Sequence, residues 1–554
     1  MRRRAAVRPR VAGAAAACLA LLAGCAIPSS GPVHQGHTQV DEMSGAVILA
    51  QGPQPGARAR DVVEGFLAAG AAGLTGDFEV ARQFLDPSAA QSWQPLAATT
   101  VTDDTALDQT ADDQVVVSLT VTGEVDSGGR FAERPGGPAA VMFHLVEVDG
   151  EWRITDPPPG LIVTDRVFEQ QYRRTPVYFL TPDRTQMVPD VRYFPTHNLA
   201  TSVVKALLDG PSPWLRGAVV SAVPDGVRLR PEAVRIDGGV AQVVLEPART
   251  VQAAPERDLM LTQITRSLAI GQIQSVEVRA GQDGALLAGE DVLPAPSASL
   301  PVMLSGDALV QLSADLVPVE GVGPLVGLHA WAPAVSDDQR LTVALSGTDR
   351  LVALPTDASA ARTLLTGPGL VRPSADRYDW AWTATSVPGT GLHAASADGR
   401  VQDVSAPWLT DRVVRALRVS RDGTRVAVAS SGPDGLVVQV CGVVRDVQGM
   451  PLSLTDSVQV GPGVTAADQI VWTDPDTLVV LGRSGDVATL TQVPVGGTSE
   501  VLTPVPDALA VAADRSASTL MVATASGDLL RRYGSTWVTI GPSGQQVSDP
   551  TYPG

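Results

Sequence analysis

The first apolar stretch of the chain, Val11 to Leu22, carries no charge and follows five arginines within the first ten residues. A membrane-spanning helix needs about 20 apolar residues. A run of 12 behind a basic start predicts a cleaved export signal. No later run is long enough to span, so the body lies outside the membrane. Periodicity then fades until about residue 57, where Pro28, Gly31, Pro32, Gly36, Pro53, Pro55 and Gly56 predict a flexible tether. For ~30 residues its root-mean-square span is roughly 30 Å.

From residue 58 to about 170 the pattern predicts two helices followed by a curved sheet. Val63, Phe66, Leu67 and Leu74 share one helical stripe. A shorter helix carries Phe78, Ala81 and Leu85 and stops before Pro87. Val115 to Thr122 then alternates apolar and polar residues, and Val141 to Val148 turns through Asp149-Gly150 into Trp152 to Ile154. This is an α+β domain of cone-like shape. Residues 175–295 form a second α+β unit. Strand Val177 to Leu180 leads to a helix with Leu199, Val203 and Leu207, closed by Asp209-Gly210-Pro211. Val234 to Ile236 and Val240 to Leu245 flank a hairpin turn at Asp237-Gly238-Gly239. A helix with Leu261, Ile264 and Leu268 and a strand from Val276 to Arg279 complete it.

Residues 300–554 repeat strand, glycine turn, strand. Six Ser-Gly or Asp-Gly turns stand at Gly306, Gly347, Gly399, Gly435, Gly485 and Gly527. Their spacing averages about 44 residues, within the range of propeller blades. The third unit is predicted to be an all-β propeller of about six blades. The individual intervals (41, 52, 36, 50 and 42) are uneven and leave five or seven blades open.

Composition narrows the function. With 44% hydrophobic and 18% charged residues the chain can build packed cores. Its 59 acids against 41 bases, a formal charge of -18, argue against nucleic acid as a partner. Removing the five arginines of residues 1–24 takes that charge to -23. Lys205 is the only lysine. The three cysteines, Cys18, Cys25 and Cys441, are too few for a disulfide framework or a cysteine-built zinc site. Cys18 leaves with the signal, and Cys441 reads as a buried small hydrophobe.

Few residues offer chemistry. His34 and His37 have a metal-like spacing but no further ligand near them. His144 alternates with Phe143 and Leu145 and either faces a pocket or is a satisfied sheet residue. Asp103-Asp104 and Asp112-Asp113 lack the glycine and glutamate of a calcium loop. Ser202-Val203-Val204-Lys205 has the S-x-x-K spacing that places an amine beside a hydroxyl, yet the partner K-T-G is missing. Trp380 and Trp382, with four further tryptophans of the third unit, either pack between blades or stack against sugars. No catalytic residue, metal ligand or cofactor is assigned.

Two resemblances complete the reading. Leu22-Ala23-Gly24-Cys25 resembles a bacterial lipobox, which implies cleavage before Cys25 and diacylglycerol plus an acyl chain (palmitate) on that residue. Two chains hold a protein on a membrane where one is marginal. The series Leu207-Leu208-Asp209-Gly210-Pro211, Ala222 to Val227, Ile236 to Ala241 and the helix from Leu259 resembles a GerMN domain. The whole order (signal 1–24, lipidated tether 25–57, α+β domain 58–170, GerMN-like domain 175–295, propeller 300–554) resembles the LpqB family of actinobacterial lipoproteins. That resemblance implies a non-enzymatic accessory of the MtrA–MtrB two-component system, anchored on the extracytoplasmic face of the cell membrane. It would act on the extracytoplasmic domain of the sensor kinase MtrB, in envelope homeostasis and division. Two other readings stay open: a lipoprotein that binds cell-wall polymer, and a propeller enzyme such as a lactonase.

Overall fold

The computed structural model describes residues 51–554, apart from 283, 295–297, 390, 486, 542–544 and the side chain of Ser484. Cys25, the signal and most of the tether, including His34 and His37, lie outside the described residues. The described residues form one compact unit, built of the three domains in chain order.

In the first domain helix α1 (Ala59–Gly73) buries Val62, Val63, Phe66 and Ala69. Of the stripe expected from the sequence, Val63 and Phe66 are buried on the helix, Leu67 is half-buried, and the buried Leu74 stands at the helix end. It packs on a five-stranded sheet. The strands are β1 (Ala98–Ala111), β2 (Gln114–Asp126), β3 (Phe131–Val148), β4 (Glu151–Ile154) and β5 (Leu161–Thr164), in the order β4-β3-β2-β1-β5. β5 runs parallel to β1, and the other pairs are antiparallel. Two short helices, α2 (Glu79–Arg82) and α3 (Pro87–Ser92), close the cone. The expected helix ends early, at Arg82, because Leu85 leaves it to bridge Ile154, and Pro87 opens a new helix instead of ending that one. It sits in the first turn of α3, where it forfeits no hydrogen bond, and Asp86 caps that turn by accepting from the N–H groups of Ser88 and Ala89. Strand β1 has no signature in the sequence because its outer half is exposed on both faces, which removes the alternation.

In the second domain a hairpin of β6 (Tyr172–Leu180) and β7 (Met187–Pro195) precedes a mixed sheet. That sheet is built from β8 (Arg228–Leu229), β9 (Arg235–Asp237), β10 (Val240–Glu246) and β11 (Ser275–Ala280), with β11 parallel to β10. A linking helix α4 (Asp165–Gln171) leads in, and α5 (Leu199–Asp209), α6 (Ala248–Gln252) and α7 (Arg257–Ser267) pack against the strands. Gly210 ends α5 at φ 90°, a conformation open to glycine at little cost. Its turn is pinned from below. Asp190 and Arg192, both buried on β7, form an ion pair of 2.7 Å. Arg192 donates to the Gly210 carbonyl, and Asp190 accepts from the backbone and hydroxyl of Ser212.

The third domain is a propeller of six antiparallel sheets among the described residues. Blades 2 to 6 span 330–366, 374–404, 413–460, 469–501 and 508–540. Blade 1 combines residues 302–318 with the late strand Ser548–Thr551, so the ring is fastened by pairing the two ends of the domain. Within each blade the strands are lettered A to D from the channel outward, and the six A strands neighbour one another in a closed ring. The uneven turn spacing now has a cause. Five of the six glycine turns join B to C, but Gly399 joins C to D of blade 3. The equivalent B–C turn lies between Ala384 and Leu392.

The other two domains sit on the side of the propeller that carries the A–B and C–D loops. Trp214 offers its carbonyl to the Thr455 hydroxyl at 2.5 Å. Gly442 of blade 4 lies so close to Ala218 that a Cβ there would stand 2.6 Å from the alanine methyl. Arg174 pairs with Asp476 at 3.1 Å and donates to the carbonyls of Val495 and Gly496. Arg377 pairs with Asp183 at 2.8 Å. The first domain adds Glu133, which accepts from the backbone and hydroxyl of Ser499.

Candidate functional site

The residues singled out in the sequence scatter, and most prove to be structural. His144 lies on the outer face of β3, 45% exposed, with its ring Nδ1 2.7 Å from Asp156 and its backbone N–H on the same carboxylate. It is a satisfied sheet residue and lines no pocket. The cone beneath is filled. The crevice between α1, Trp93 and Leu161 measures about 10 Å³, room for one water at most. Lys205 projects from α5 into solvent, 3.8 Å from Glu232, as a solvated surface cation. Cys441 is fully buried, and burial pushes its thiol well above the ordinary range, which leaves it unreactive.

Of the six tryptophans in the propeller, Trp380, Trp382 and Trp472 are buried, and Trp331, Trp408 and Trp537 are half-buried. Trp380 and Trp382, on strand B of blade 3, are 2% and 0% exposed. Neither can present a face to a sugar. Trp382 donates from Nε1 to Asp376 at 2.7 Å. That carboxylate also holds Arg445 at 2.6 Å, with the guanidinium 4.5 Å above the Tyr378 ring and 5.6 Å from Trp382. Arg445 also donates to the carbonyls of Gly423 and Gly449. The knot ties the A–B turn of blade 3 to blade 4, and the adjacent Arg377 carries the same turn to the second domain. The run Asp376-Arg377-Tyr378-Asp379-Trp380 was a usable signal, since charged and aromatic residues interleaved in a strand turn are candidates for a buried ion pair.

At the A–B end the propeller channel is occupied by the protein itself. Arg418 on strand A of blade 4 donates to the carbonyls of Tyr552 and Gly554. Arg421 donates to Ala513 and Pro553 and pairs with Asp514 at 3.2 Å. Burial lowers both arginines, Arg418 to about 9 with repulsion from Arg421 adding to it, and Arg421 to about 10. Among the described residues no group of three or more His, Cys, Asp or Glu is placed to hold a metal. A larger crevice of about 230 Å³ opens between blades 1 and 6, lined by the apolar Met303, Leu312, Leu316 and Ile540 and by the polar Asp528, Thr539 and Gln545.

Three family matches follow one another along the chain. Residues 52–169 match the family described as Lipoprotein LpqB, N-terminal domain. Residues 176–284 match Sporulation and spore germination, and residues 307–553 match Lipoprotein LpqB beta-propeller domain. Whole-length relatives agree. Lipoprotein LpqB of Thermobifida fusca is 29% identical over 86% of this chain and 88% of its own. The Rhodococcus opacus protein of that name is 28% identical over 94% and 93%, and that of Bifidobacterium longum 27% over 78% of each. Among solved structures, a chain of the nidogen–laminin complex overlays 46% of this chain at 10% identity and a TM-score of 0.35, too low to carry an argument.

Proposed function

Since this chain belongs to the LpqB family of lipoproteins, we propose that it is a lipid-anchored, non-enzymatic regulator that acts on the extracytoplasmic domain of the sensor kinase MtrB. The observation that carries the reading is the domain order, two LpqB-family domains flanking a sporulation-type domain, behind a lipobox ending in Cys25. Cys25 carries the diacylglycerol and the acyl chain. Among the described residues no helix is long and apolar enough to cross a membrane, and lipid supplies the attachment instead.

The physical logic is that of a rigid reader on a leash. Three domains clamped together present fixed surfaces, and the anchor confines them to the same two-dimensional layer as the kinase. Confinement raises effective concentration, so a weak contact suffices. The cell-wall reading loses part of its support, because Trp380 and Trp382, which it would use, are buried. The test is binding of the purified full-length chain, in detergent, to the extracytoplasmic domain of MtrB. Saturable binding, with altered kinase output in a deletion strain, supports the reading. No binding, with unchanged output, sinks it.

A further inference from the structure

We propose that the propeller face opposite the two clamped domains, formed by the B–C turns and the loops entering the A strands, docks a protein partner whose surface is basic around apolar side chains. The proposal rests on the regulator reading and assigns it a surface.

Three observations support it. First, the inter-domain contacts of Arg377, Gly442, Thr455, Asp476 and Ser499 all use the A–B and C–D side. The opposite face stays open, with Val326 73%, Val487 60% and Leu509 43% exposed. Second, its charge is unbalanced. Asp434, Asp468 and Asp549 on this face each hold an arginine. Asp307, Asp411, Asp507 and Asp528 are exposed and have no arginine partner among the described residues. Third, the loops are already ordered. The Asp349 carbonyl accepts from Gly367, that of Thr348 from Leu370, and Arg412 bridges to Asp434 at 2.6 Å. Docking on such loops costs little ordering entropy.

Surplus carboxylates around apolar side chains select a basic partner and speed its approach. The same charge repels the anionic lipid surface, which turns the face outward. The test uses the full-length chain and the extracytoplasmic kinase domain. The combined variant Asp307→Lys, Asp411→Lys, Asp507→Lys and Asp528→Lys should weaken binding at least about tenfold at low salt and flatten its salt dependence. An equal reversal on the first domain (Asp103→Lys, Asp104→Lys, Asp108→Lys and Asp112→Lys) should leave affinity within about twofold. A second variant, Val326→Glu with Val487→Glu, should weaken binding at high salt as well. Wild-type affinity in both face variants overturns the surface while the regulator reading stands. Failure of the unaltered chain to bind overturns both.

Discussion

At the residue scale the strongest commitments are buried ions. Asp376 and Arg445 are 0% and 2% exposed in their side chains. Removing one partner strands the other without water, at ~3–5 kcal/mol for a buried pair. Asp376→Ala should therefore lower the unfolding free energy from chemical denaturation by an amount in that range, seen as an earlier midpoint, and an unchanged midpoint would show the pair to be dispensable. A second commitment depends on pH. Burial, with the neighbouring Asp476, pushes Asp474 up from 3.8 to about 6. A carboxyl raised in the folded state favours folding when protonated, and that contribution fades as pH rises through about 6. Asp474→Asn should flatten the decline of melting temperature between about pH 4 and about pH 7, measured calorimetrically against the parent chain. The sequence told less at this scale. It could offer two fates each for His144 and Trp382, because burial and partners come from strands far away in the chain.

At the scale of elements, legibility followed periodicity. The Asp149-Gly150 turn and the Gly210 helix end are local patterns that appear where the residues put them, and α1 buries Val63 and Phe66 of its expected stripe. β1 went unseen because exposure on both faces erases alternation. Pro87 misled because it suits the first turn of a new helix, while the bridge from Leu85 to Ile154 ends the helix before it at Arg82. The blade number was legible because the turn chemistry repeats, though Gly399 marked a different turn of its blade. Contacts between domains leave no periodic trace. Gly442 shows why, since its role is only to let Ala218 approach. Gly442→Leu should push the second domain away and split thermal unfolding into two transitions. One transition at the parent midpoint would mean that the contact is not needed for docking.

At the scale of the whole molecule the account joins an anchor, a tether and a clamped body. Lipid on Cys25 predicts that Cys25→Ala releases the chain from the membrane fraction or leaves it as the uncleaved precursor, read by fractionation and intact mass. Retention at the mature mass would remove the anchor. The acidic balance keeps the body off an anionic bilayer over about a Debye length, ~8 Å, so it stands away from the lipid. The family is legible across the whole chain because domain order survives at under 30% identity. The partner is not, because a docking surface built from turns on many blades has no contiguous motif. The central claim is tested most directly by the rate of MtrB autophosphorylation in proteoliposomes, with and without the lipidated chain. The account predicts that the lipidated chain changes the rate, and that the Cys25→Ala chain at the same total concentration does so much less. An identical rate in all three preparations would contradict it.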